Sequence, residues 1–122
     1  MAPRKRSELR HPLSLPVTHI LLALADGTLH GYAIKQAVEE RSGGEIRLGP
    51  GTLYEAIQRL EDAGYIEEES ARDDPRDGQE AQRRYYRLTP DGWSELRTEI
   101  RHLARMVDHA RAHARLRKAS LT

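Results

Sequence analysis

The chain has 122 residues, with 20 Lys and Arg against 19 Asp and Glu and a formal charge of +1. One domain fits that length, and its core must be small, because 38% of residues are hydrophobic, 32% are charged and Phe is absent. The absence of cysteine excludes disulfides, Cys-ligated zinc, iron–sulfur clusters and thiol catalysis, and points to a reducing compartment.

Residues 1–13 are basic, contain proline and lack an apolar period, so they read as a flexible arm. Arg4, Lys5 and Arg6 ahead of the apolar run from Val17 to Ala25 imitate a secretory leader. Pro12, Pro16 and His19 interrupt that approach, and the stretch from Ile20 to Ala25 is too short to serve as its core. No run nears the roughly 18 apolar residues of a membrane span, so a soluble protein is expected.

Ser14 is placed to cap a first helix with Pro16 in its opening turn. Val17, Ile20, Leu21 and Leu24 form its buried stripe, and Asp26-Gly27 ends it. A second helix is expected from Gly31 to Arg41, with Tyr32, Ile34, Ala37 and Val38 inward and Ser42-Gly43-Gly44 as its stop. Glu45-Ile46-Arg47-Leu48 alternates polar and apolar residues, as a very short strand would. Pro50 opens a third helix that buries Leu53, Ala56, Ile57 and Leu60 and ends at Gly64. Tyr65–Glu69 and Arg83–Leu88 read as two strands, separated by a polar hairpin tip from Ser70 to Gln82. Thr89 and Pro90 start a final helix running to about Arg117, roughly 42 Å at 1.5 Å per residue. This order is that of a winged helix-turn-helix: mainly α, with a small β-hairpin and a long C-terminal helix. The expected division is an arm over 1–13, a winged domain over 14–89, and a C-terminal helix with a basic tail over 90–122.

Three stretches sharpen that assignment. They are His30-Gly31-Tyr32-Ala33-Ile34; Gly49-Pro50-Gly51-Thr52-Leu53-Tyr54, continuing through Arg59-Leu60-Glu61 to Gly64-Tyr65-Ile66; and Arg83-Arg84-Tyr85-Tyr86-Arg87-Leu88-Thr89-Pro90-Asp91-Gly92. Together, in this order and spacing, they resemble the PadR family of bacterial transcriptional regulators over residues 15 to 110. Gly49 stands where the family commonly has serine, and Glu55 replaces the usual proline after the tyrosine. The resemblance implies a dimeric, ligand-responsive repressor in the bacterial cytoplasm, bound to nucleoid DNA, whose third helix reads DNA and whose last helix builds the homodimer.

The residues themselves agree with a double-stranded DNA partner. Opposite the buried stripe, the third helix carries Thr52, Glu55, Gln58, Arg59 and Asp62, and Gln and Arg are shaped to grip adenine and guanine edges. Gly51 and Thr52 lie at a helix N-terminus, which attracts phosphate, and the Tyr54 hydroxyl is placed to reach another. Gly49-Pro50-Gly51 imitates the start of a dinucleotide fingerprint, but Tyr54 occupies the place of its third glycine and no βαβ unit surrounds it. Arg83, Arg84 and Arg87 on the second wing strand, and Arg72 and Arg76 at the tip, would position the protein on the backbone; ion pairs with nearby carboxylates are the alternative role. Strand alternation sends Tyr85 and Tyr86 to opposite faces, so one of them is core.

Along the last helix Trp93, Leu96, Ile100, Leu103, Val107, Ala110 and Ala114 recur at spacings of 3 and 4, a heptad seam for a second copy, with the first helix as co-packing surface. A symmetric dimer then matches a pseudo-palindromic operator. Trp93 reads first as filler between winged domain and last helix; the resemblance adds a small-molecule effector near Trp93, Leu96 and Ile100. His102, His109 and His113 read as solvated, so neither a metal nor a cofactor is expected, and no catalytic constellation is present. A winged-helix protein–protein adaptor is the alternative function, favoured by Glu55, Asp62 and the acidic wing.

Charge along the chain qualifies the near-zero total. Residues 1–60 carry 8 basic and 6 acidic groups, residues 61–80 carry 2 and 9, and residues 81–122 carry 10 and 4. The acidic segment is expected to stay off the phosphates and limit nonspecific binding.

Overall fold

The computed structural model describes residues 13–69 and 84–117. The arm cations Arg4, Lys5 and Arg6, the wing residues Arg72, Arg76 and Arg83, and the hairpin tip lie outside the described residues. Among the described residues no helix is long and apolar enough to cross a membrane.

The chain runs α1 (Leu15–Leu24), β1 (Leu29–His30), α2 (Gly31–Arg41), α3 (Pro50–Ala63), β2 (Ile66–Glu69), β3 (Tyr85–Leu88), α4 (Pro90–Arg111) and α5 (Ala114–Arg117). Local chemistry sets the helix starts. The Ser14 hydroxyl accepts from the Val17 amide, and the Thr89 hydroxyl accepts from the Gly92 amide at 3.0 Å. Proline occupies the first turn of α1, α3 and α4, where its missing N–H leaves no donor unpaired. His30, whose capping role has no signal in the sequence pattern, caps α2: its Nδ1 accepts from the Ala33 amide at 3.2 Å.

The sheet has three antiparallel strands in the order β1-β3-β2. The expected strand at Glu45–Leu48 is absent and its place is taken by Leu29–His30, which pairs with Tyr86 and Tyr85 of β3. The reason is local satisfaction of donors. The Ile46 amide donates to Ser42 Oγ at 2.9 Å and the Glu45 amide to the Ser42 carbonyl at 3.1 Å, so this stretch does not need a ladder. Its alternation survives as burial of Leu48 beside exposed Arg47.

The core gathers Ile20, Leu21, Ile34, Val38, Leu53, Ile57 and Leu60 from three helices, with Tyr65, Ile66, Tyr86, Leu88 and Leu96 beneath the sheet and α4. Leu13 also joins it, so the arm expected to reach residue 13 is already anchored there. Its amide donates to Oε1 of buried Glu99 on α4 at 3.1 Å. Tyr32 departs from the expected apolar face and is 57% exposed. On a 100°-per-residue wheel it stands about 160° from Ile34, on the side of Gln36, whose Nε2 donates to the Tyr32 hydroxyl at 3.4 Å.

Gly64 closes α3 in the left-handed region (φ 83°). Thr89 then ties this corner to α4: its hydroxyl donates to the Gly64 carbonyl at 2.6 Å and its amide to the Tyr65 carbonyl at 3.0 Å. Gly92 completes the joint, because a Cβ there would meet the Tyr65 carbonyl oxygen at 2.0 Å. The final helix is shorter than expected. α4 stops at Arg111, and α5 follows after Ala112 and His113.

Candidate nucleic-acid interface

α3 presents its outward side as expected. Gly51, Thr52, Tyr54, Glu55, Gln58 and Arg59 are exposed, while Leu53, Ile57 and Leu60 are buried and Ala56 is half-buried. Gly49 supplies no side-chain hydrogen bond to the first turn, whereas Ser14, His30 and Thr89 cap their helices. The amides at the start of α3 therefore face solvent without a side-chain acceptor from the cap position, in the field of the helix dipole. Gln58 Nε2 donates to Asp62 Oδ1 at 3.1 Å, one turn along the helix.

Tyr54 has a second relationship that spacing alone does not show. A Cβ on Gly31 would lie 2.5 Å from the Tyr54 hydroxyl, so the phenol lies against the first residue of α2 while remaining 51% exposed. The glycine of His30-Gly31-Tyr32 thus makes room for the tyrosine of Gly51-Thr52-Leu53-Tyr54. Tyr32 and Tyr54 leave two exposed tyrosines on adjoining helices. The helical wheel contains the signal for Tyr32, since it falls opposite the Ile34–Val38 stripe.

In the wing, Tyr86 is the core residue and Tyr85 lies half-buried edge-on to His30, with ring centroids 5.5 Å apart. The two described arginines serve opposite faces of the hairpin. Arg87 shares the outer face with Glu67, its partner across the strands, and donates from Nε to Glu67 Oε2 at 2.9 Å. Arg84 pairs with Glu68 at 3.8 Å on the side of Tyr86. Both arginines therefore sit in ion pairs in the free chain. Glu61, from the end of α3, approaches the same inner face; burial first and the Glu68 charge second raise its carboxyl above the ordinary 4.5, with Arg84 pulling the other way and Asp62 adding to the rise.

The helical seam divides between two uses. Leu96 is buried in the chain's own core and Leu103 is half-buried, whereas Trp93, Ile100 and Val107 are 41%, 40% and 37% exposed. Trp93 is thus not the buried filler expected; Leu96, Gly92 and Leu88 occupy that junction. Beyond Leu103 most of α4 stands clear of the winged domain, including Met106. Ala110 is half-buried there, and Ala114 falls on α5 rather than on a continuous seam. On α1, Ile20, Leu21 and Leu24 are committed to the internal core, while Leu15 is exposed and Val17 and Leu22 are half-buried. The His109 and His113 rings meet edge-on at 5.3 Å, and among the described residues no group of three or more potential ligands is arranged for a metal.

Comparison with known proteins agrees with this architecture. The model of the transcriptional regulator PadR-like family matches residues 20–98. A transcriptional regulator of Mycobacterium tuberculosis is 38% identical over 98 residues, covering 78% of this chain and 84% of its own. An uncharacterised 37.1 kDa protein in a transposon of Streptomyces fradiae is 44% identical over 89 residues, or 71% of this chain; the match spans 22% of that longer protein. Among solved structures, a transcriptional regulator from Clostridium thermocellum superposes with a TM-score of 0.65 at 25% identity, covering 81% of this chain and 89% of that one.

Proposed function

The chain belongs to the PadR-like family of transcriptional regulators, and from that premise we propose that it is a dimeric, sequence-specific DNA-binding repressor relieved by a small-molecule effector. The observation that carries this reading is α3, whose exposed side joins an N-terminus without a side-chain cap to Gln58 and Arg59. The first turn, with Gly51 and Thr52, takes a phosphate; Gln58 and Arg59 address base edges; Tyr54 holds the backbone beside them. Arg84 and Arg87 add contacts from the wing, and Glu55 tunes the base-facing surface by repelling phosphates. Two copies joined along Trp93, Ile100 and Val107 set two such helices on a pseudo-palindromic operator. The effector site is placed beside Trp93 and Ile100, since Leu96 is enclosed in the chain's own core. The protein acts in the cytoplasm on nucleoid DNA, as a binding protein and not as an enzyme.

Fluorescence anisotropy with the promoter fragment upstream of its own gene, against a scrambled duplex over a salt series, tests this. Wild-type affinity for the promoter should fall steeply with salt. Arg59→Ala and Gln58→Ala should each reduce preference for the operator by about 1–3 kcal/mol, while Arg84→Ala should weaken all sequences evenly. Unchanged operator affinity in all three variants would overturn the assigned surface. Failure to retain DNA even at low salt, with a protein partner co-purifying, would favour the adaptor.

A further inference from the structure

Both described wing arginines are paired with carboxylates of the adjacent strand before any ligand arrives. Glu67 and Arg87 are direct partners in the β2–β3 register, and the bond between them is short, at 2.9 Å. Arg87 also comes within 4.0 Å of Glu69, which is held from outside the hairpin by the Thr28 hydroxyl at 2.9 Å. On the opposite face Arg84 lies 3.8 Å from Glu68. These pairs are half in solvent: the side chains are 52% and 48% exposed in the first and 71% and 43% in the second. An ion pair in that setting is weak enough to exchange partners.

We propose that Glu67 and Glu68 act as a brake on sequence-independent DNA binding by holding Arg87 and Arg84. The proposal rests on the DNA-binding reading above. Nonspecific affinity comes almost wholly from cations meeting phosphates. A phosphate contact made by Arg84 or Arg87 requires that arginine to leave a carboxylate, and leaves that carboxylate unpaired beside the DNA. Gln58 and Arg59 lie on α3 and take no part in these pairs, so the base contacts assigned to them are not subject to the brake. The strand carboxylates therefore lower the affinity for random sequence without weakening the readout.

Glu67→Gln and Glu68→Gln keep side-chain shape at exposed positions and remove the charge. Each should tighten binding to a random-sequence duplex about two- to fivefold at low salt, with no rise in the ratio of operator to random affinity. The effect of Glu67→Gln should vanish in an Arg87→Ala background, and that of Glu68→Gln in an Arg84→Ala background. Glu40→Gln, which removes an exposed carboxylate of α2, reports the effect of net charge alone. An equal gain from Glu40→Gln, a gain that persists without the arginine, or unchanged random-sequence affinity in both wing variants would overturn the brake. If the wild-type chain binds its operator and Arg59→Ala weakens it, the DNA-binding reading stands whichever way the wing experiment falls.

Discussion

Two glycines that look alike in the motifs are required for different reasons. At Gly92 an added Cβ would collide with the Tyr65 carbonyl oxygen, a backbone atom fixed by its bond from the Thr89 amide. At Gly31 the obstacle is the far end of the Tyr54 side chain, which can swing away. Gly92→Ala should therefore lower stability in urea unfolding by about 1–3 kcal/mol, whereas Gly31→Ala should cost less than about 1 kcal/mol while displacing Tyr54 and weakening DNA binding. Glu61 carries a different burden. With its carboxyl raised above 4.5 by burial and by Glu68, the fold favours the neutral acid. That contribution is present below pH 4.5 and is lost as pH rises through the raised value. Glu61→Gln should accordingly melt higher than wild type near about pH 7, and the two curves should converge below about pH 4.

The helices were readable because their starts are local. Ser14, Thr89 and the prolines at positions 16, 50 and 90 set the first turns through bonds and φ values that need no distant partner. β1 was not readable for the complementary reason: two residues, Leu29 and His30, have no period, and they form a strand because β3 offers them a free edge. Equally, the alternation at Glu45–Leu48 is genuine but ends in a turn held by Ser42. The wing shows the same divide. Alternation correctly separated Tyr85 from Tyr86, yet the pairing of Arg84 with Glu68 and Arg87 with Glu67 depends on the β2–β3 register, which the composition of either strand leaves open.

As a whole the molecule spends one edge of the α4 stripe internally and leaves the other exposed. Gly92, Leu96 and Glu99 turn toward α1 and the sheet, while Trp93, Ile100 and Val107, seven residues apart, remain at the surface. A 22-residue helix whose second half extends past its own domain is the geometry that a second copy would cover. Ile100→Glu combined with Val107→Glu should yield a monomer by sedimentation equilibrium. Since the two half-sites would then bind independently, operator affinity should fall by roughly a hundredfold or more. A variant that stays dimeric would place the self-association surface elsewhere.

Sequence by itself determined the starts of the helices, the capping by Ser14 and Thr89, most of the buried stripes of α1 and α3, and the signature that places the chain in its family, since all of these depend on neighbours within a few positions. Tertiary structure decided the identity of the third strand, the contact of Tyr54 with Gly31, the use of Leu96 and Glu99 inside the chain, and the pairing of the wing arginines. Each of these joins residues distant in the chain, where the outcome rests on which free edge, cavity or opposite charge the fold brings within reach. The near-zero net charge belongs to both levels. The sequence separates it into basic and acidic segments, and the β2–β3 register brings the two together.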